Sequence, residues 1–297
     1  MAVTNQPTNK ATECDLIASM KATKLWKRLL PTASSLPLIY RRAFLLQRTV
    51  ATSSMAAPSP SSPSPSLVQV LQSLASNDHS NNPNQFFLLD GGTGEELFRR
   101  GVPDDRKIWS ATAVVRPEYH EVLEQVHHSF LQAGAQAITT NSYGIVPGVG
   151  FEDPKERSRL LGLAGAIARQ AVKCSKRLDS SSSSSPAFVL GSLGPLVESY
   201  RADLIRPHAQ GVEDYQVACQ ALQPHVDAFL VETMSCWEES HQALEAVASM
   251  PLERRLPVMV SYSLDSKGNT RDGKLIPECI RNVLDYATQH NLQRKLP

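Results

Sequence analysis

The sequence predicts an α/β fold of the (β/α)8 barrel type, with about five βα units in a chain of 297 residues. Three observations predict it. Five short apolar runs, rich in β-branched and aromatic residues, have the length and composition of strands buried on both faces. Each is followed by a stretch of helical periodicity, and strand–helix alternation builds a parallel sheet. Each run also ends in polar or glycine residues, the place where such barrels carry their chemistry.

The chain opens on a region of different character. Between Leu16 and Asn77 there is no Asp or Glu, but Lys21, Lys24, Lys27, Arg28, Arg41, Arg42 and Arg48 are present among many Ser, Thr and Ala. An acid-poor, Ser-rich start bearing Arg and Lys has the composition of a mitochondrial or plastid transit peptide. A disordered tail, with Met20 or Met55 as the true start, is the other reading, and the chain is then expected in the cytoplasm. Pro58 to Ser66 alternates Pro and Ser, which holds neither a ladder nor a helix and reads as a linker. Residues 1–66 are therefore expected to be a disordered extension and residues 67–297 a partial barrel domain, with a short leading helix over Leu67–Leu74.

The domain reads in order. The first run, Phe86 to Gly92, is expected to be a strand, followed by a helix over Thr93–Arg100 that Gly101 stops. Pro117 suits a helix start. The helix Tyr119–Ala133 carries Val122, Val126, Phe130 and Leu131 on one face, and Gly134 ends it. The second run is Ala137 to Asn141. A long helix over Lys155–Leu178 turns Leu160, Leu163, Ile167 and Ala171 inward. Ser180 to Ser185 reads as a solvated loop. The third run is Phe188 to Gly194, whose end, Gly191-Ser192-Leu193-Gly194-Pro195, is expected to leave backbone exposed. A helix near Val212–Pro224 leads to the fourth run, Ala228 to Thr233. A helix over Trp237–Ser249, the fifth run Pro257–Ser263 and a helix over Ile276–His290 complete the pattern.

Bulk properties exclude several classes. The net charge of +1 gives no field that would draw nucleic acid or a membrane surface, and no apolar run is long enough to span a bilayer. The five cysteines form no CxxC pair, so neither a disulfide framework nor a zinc-finger spacing is present. Cys236 has too few partners for a metal, and Cys279 reads as an inert thiol. The eight histidines lie mostly on helices or loops and read as solvated. No run ends in a lysine, which argues against Schiff-base aldolase chemistry.

The candidate site residues are those at the run ends. Asp90 could bind an ammonium group or cap the following helix, and the Gly91 and Gly92 N–H groups could hold a carboxylate. Thr140 and Tyr143 end the second run and Ser261 the fifth. Glu232 ends the fourth, directly after four apolar residues, as an amine ligand, an acid/base group or a cap.

From about Phe86 onward the chain resembles the homocysteine S-methyltransferase family. The resembling stretches are LLDGGTGEELFRRG, FLQAGAQAITTNSYG, LGSLGPLVESYRADL, VDAFLVETMSCWEE and LPVMVSYSLDSKGNTRDG. They cover about two hundred residues, in order and at the strand ends, and look most like the cobalamin-independent members. The resemblance implies a barrel enzyme that moves a methyl group from S-methylmethionine or S-adenosylmethionine to homocysteine, giving methionine. It implies that Asp90 and Glu232 hold the substrate amino group, that the Gly91 and Gly92 backbone holds its carboxylate, and that Thr140, Tyr143 and Ser261 line the pocket. It also implies a zinc ion, Zn(2+), held by three cysteines that keeps the homocysteine sulfur as thiolate. Those cysteines are expected beyond Pro297. No residue of this chain is thus assigned to a metal or a covalent step, and this chain is expected to be inactive. The alternative is a non-catalytic binding or regulatory fragment of the same barrel. Gly144 departs from the family pattern, where relatives often carry a larger polar residue.

Overall fold

The computed structural model describes residues 65–76, 86–178 and 187–292. The transit-peptide reading, most of the Pro/Ser linker and the six-serine loop lie outside these residues.

Four parallel strands form one sheet in the order β1 (Ala137–Thr139), β2 (Phe188–Leu193), β3 (Ala228–Met234) and β4 (Val258–Tyr262). The helices between them are α5 (Pro154–Leu178) from β1 to β2, α6 (His208–Leu222) from β2 to β3, and α7 (Trp237–Ala248) from β3 to β4. Before the sheet come α1 (Leu67–Ser76), α2 (Thr93–Arg99), α3 (Thr112–Val115) and α4 (His120–Gln132); α8 (Ile276–Gln289) follows it. The helical stretches read from the sequence all form. The strand expected at Phe86–Gly92 does not: only Leu89 bridges Ala137. Backbone bonds to the β1 segment flank this bridge, from the Gln136 N–H to the Leu88 carbonyl (2.8 Å) and from the Asp90 N–H to the Ala137 carbonyl (3.0 Å), while the Leu88 N–H donates to the Gln136 side chain at 3.1 Å. The Gln136 side chain thus takes the Leu88 N–H, and the pairing with β1 is too short to make a strand.

The sheet has two unlike faces because side chains alternate along a strand. On β3, Phe229 and Val231 join the helical layer, packing in one cluster with Leu123, Leu160, Tyr215 and Val247. Ala228 and Leu230 belong to a second cluster with Ala137, Phe188, Leu190 and Leu67 of α1. The floor of this second face is thus apolar and covered by α1. Ser66 caps that helix: its Oγ accepts from the Gln69 N–H (3.3 Å) while Gln69 Oε1 accepts from the Ser66 N–H (2.7 Å). This reciprocal pair is a capping box, so the last residue of the Pro/Ser run is structural.

Two expectations about α4 are corrected. Leu123, Val126 and His127 are its buried residues, whereas Val122, Phe130 and Leu131 are only partly buried. The helix packs against α2 on one side and α5 on the other, so burial reaches beyond a single stripe. His127 is fully buried, not solvated, and burial pushes its imidazole down to about 4. It is therefore neutral at physiological pH. The end of the third run is also buried, from Gly191 through Leu196, because the β1 and β3 loops close over it.

Candidate functional site

The C-terminal ends of β1, β2 and β3 bring two carboxylates together. Asp90 does not cap α2, whose N-terminal residue Gly92 has no side-chain cap. Its carboxylate instead crosses to β1, accepting from the Thr139 N–H (2.7 Å) and the Thr139 Oγ1–H (2.9 Å). Glu232 follows Val231 at a bulge. Between Val231 and Met234 the chain advances three residues while β4 advances two, from Val260 to Tyr262. An extra residue re-aims side chains at a strand end. The next residue, Thr233, is held at φ 62°, a conformation L-residues adopt only under local constraint. The Glu232 carboxylate accepts from the Ser192 Oγ–H at 2.5 Å.

Both carboxyls are shifted upward. Burial pushes Asp90 to about 6, against its bonds to Thr139. Glu232 is raised by burial and by the Asp90 charge, against the Ser192 bond. Two half-hidden carboxylates that, among the described residues, have no cation beside them are poised for a cationic ligand.

The other sequence-predicted residues are placed as follows. The Gly91 and Gly92 backbone is exposed ahead of α2. The Tyr143 hydroxyl meets Ser199 Oγ at 2.6 Å. Ser261 is exposed, with Oγ 3.4 Å from the Thr233 N–H that donates to it. Thr140 is buried behind the rim and not open to it, with Oγ1 3.0 Å from the Ser192 N–H. Gly144 packs against backbone: a Cβ there would lie 3.0 Å from the Ile108 carbonyl, so this chain has little room for the larger residue of relatives.

Sequence reasoning missed Thr139, Ser192 and Ser199 as partners, and Trp109. Trp109 sits at φ 48° with its ring 6.4 Å from that of Tyr143. Nothing local in the sequence marks these residues, because their partners lie 34 to 56 positions away.

Gly194 fixes Tyr143. A Cβ at 194 would lie 2.7 Å from Tyr143 Cδ2, closer than carbon atoms pack. Gly194→Ala is expected to cost about 1–3 kcal/mol through overpacking. In a double-mutant cycle read by urea unfolding, that cost should vanish in a Tyr143→Ala background. A cost that persists there would place the strain elsewhere.

A three-cysteine metal centre is not assembled among the described residues. Cys219, Cys236 and Cys279 are buried, and burial holds the Cys236 thiol up at about 12 and that of Cys279 above its usual range. Burial keeps all three thiols protonated in the free protein. Among the described residues, the one close group of His, Cys and acidic side chains, Glu124, His128 and Cys174, lies within 4.8 Å in the helical layer and not at the strand ends.

Comparison with known proteins places these features in a lineage. Residues 87–291 match the sequence profile of the homocysteine S-methyltransferase family. A homocysteine S-methyltransferase of Escherichia coli is 29% identical over 218 residues, 67% of this chain and 65% of the relative. Homocysteine S-methyltransferase 1 of Saccharomyces cerevisiae is 24% identical over 71% of this chain and 67% of the relative. The chain thus spans about two thirds of the length of these curated relatives. Among solved structures, the E. coli homocysteine methyltransferase MmuM in its oxidised form aligns with a TM-score of 0.60 at 25% identity, covering 72% of this chain and 73% of that one. Its metallated form aligns with a TM-score of 0.61 at 24% identity, over 75% of each chain. The fold class is therefore that of the (β/α) barrel.

Proposed function

The chain belongs to the homocysteine S-methyltransferase family, and from that premise we propose that its rim binds homocysteine and presents the sulfur for methylation. The observation that carries this reading is the pair Asp90 and Glu232 at the strand ends, raised in pKa and without a counter-cation among the described residues. An amino acid's ammonium group supplies that cation. The exposed Gly91 and Gly92 N–H groups would take its carboxylate, and the apolar floor below would exclude water from the side chain. In the reaction, the homocysteine sulfur forms a bond to the methyl carbon of a sulfonium donor. The old C–S bond breaks with its electron pair returning to the donor, which leaves as a neutral thioether, and the thiol proton goes to solvent. S-methylmethionine and S-adenosylmethionine are the donors of this chemical type.

These residues bind and orient; they do not generate a thiolate. The family's expected zinc does not fit the described cysteines, so no step is assigned to it here. Calorimetric titration of the purified chain with homocysteine tests the reading. Binding is expected, with no methionine formed when zinc and either donor are supplied. No homocysteine binding by the wild-type chain at millimolar concentration would overturn the assignment.

A further inference from the structure

Behind Glu232 lies a set of hydroxyls whose proton directions are fixed by counting. Ser142 Oγ donates its single proton to the Ser192 carbonyl, at 2.8 Å. It must therefore accept at its 2.8 Å contact with Thr140 Oγ1, so Thr140 donates there. Thr140 Oγ1 in turn accepts from the Ser192 N–H at 3.0 Å. The bonds close on themselves: Ser192 N–H to Thr140, Thr140 to Ser142, Ser142 to Ser192 C=O. All three residues are buried, and every donor in the ring has one acceptor. The ring takes up the N–H and C=O of Ser192, and the hydroxyl between them donates to Glu232.

We propose that Ser192 is a positioning residue for the homocysteine site, clamped by this ring so that its hydroxyl holds the Glu232 carboxylate against the substrate's amino group. The inference rests on the homocysteine-binding reading. It goes further in assigning Ser192, Thr140 and Ser142 a joint task that none performs by touching substrate. A buried hydroxyl bonded to a carboxylate stabilises its ionised form. The Ser192 bond is the one hydrogen bond to Glu232 among the described residues. The titratable groups that face Glu232 are Asp90, from the loop after the first apolar run, and Tyr143, from the loop after β1. Neither carries a positive charge that could replace the serine.

The test pairs two readouts. Glu232 is followed by carbon NMR of protein labelled at the glutamate carboxyl, its signal identified by its absence in Glu232→Gln. Homocysteine binding is followed by calorimetry between pH 5 and 8. Ser192→Ala is expected to move the Glu232 titration upward by about one unit and to weaken homocysteine roughly tenfold. Ser192→Thr keeps the donor and should restore both. Thr140→Val breaks the ring without touching Glu232 and should move both values in the same direction by less. A melting curve checks that each variant is folded. If Ser192→Ala leaves the Glu232 titration and the affinity where they were, or if Thr140→Val does, the clamp is wrong and homocysteine binding by the wild type still stands. If the wild type binds no homocysteine, the functional reading falls, while a moved Glu232 signal still supports the coupling.

Discussion

Glu232→Gln is expected to lower homocysteine affinity at least about a hundredfold and, in the same protein, to raise the melting temperature. The two effects share one cause. In the free protein the Glu232 and Asp90 charges are half buried and repel each other, so ionisation costs folding energy. The bound ammonium group is what compensates them, and a buried charge pair that loses one partner costs 2–5 kcal/mol or so. The amide keeps the shape and can still accept from Ser192, but offers no charge. For Asp90 the sign is explicit. Its folded pKa, about 6, lies above the ordinary 3.8, so the native state holds its proton more tightly than the unfolded state. Stability therefore falls as pH rises from about 4 to 6, and above 6 the full cost, about 3 kcal/mol, is present. Binding runs the other way: homocysteine affinity is expected to drop below pH 6, as Asp90 protonates. Asp90→Asn should flatten both curves, the first read by thermal melts across pH and the second by calorimetry. A Glu232→Gln protein that melts earlier and binds as well as wild type would remove the pair from the site.

The second large effect is on the fold. Phe229→Ala is expected to cost about 3–5 kcal/mol, from lost transfer energy and the cavity left behind. Phe229 is fully buried near the start of β3 and pairs in register with Gly191 and Val258. A side chain of any size at 191 would meet its ring, since a Cβ there lies 3.3 Å from Phe229 Cδ1. The neighbouring strand has thus been kept bare to admit it. Against the usual 5–15 kcal/mol of a domain this loss is severe. Urea unfolding should show a lower midpoint with an unchanged slope. A cost below about 1 kcal/mol would mean that the sheet and helices can collapse onto the gap.

What the sequence disclosed follows from range. Helices were legible because their periodicity and stop signals are local; Gly101 and Gly134 end α2 and α4 at φ 91° and 104°, where a side chain would be strained. Asp90 and Glu232 were legible because each ends an apolar run. The partners that give them their chemistry were not. Thr139 is 49 residues from Asp90 and Ser192 is 40 from Glu232, so both depend on strand register. The β3 bulge was hidden for the same reason. The first run was misread because its apolar residues resemble a strand, yet Phe86 and Leu88 remain exposed and its pairing with β1 is confined to Leu88–Asp90. Burial of His127 was missed because packing of α4 by two helices leaves no one-dimensional trace.

The capping box at Ser66 sets a limit on maturation. A protease that removes a leader upstream of Ser66, or translation initiated at Met55, leaves α1 with its start intact and Leu67 seated on Phe188, Leu190 and Leu230. A cut a few residues later unroofs that greasy patch, on the strands that carry Ser192 and Glu232. Any processing that leaves Ser66 in place therefore keeps α1 seated on the interior.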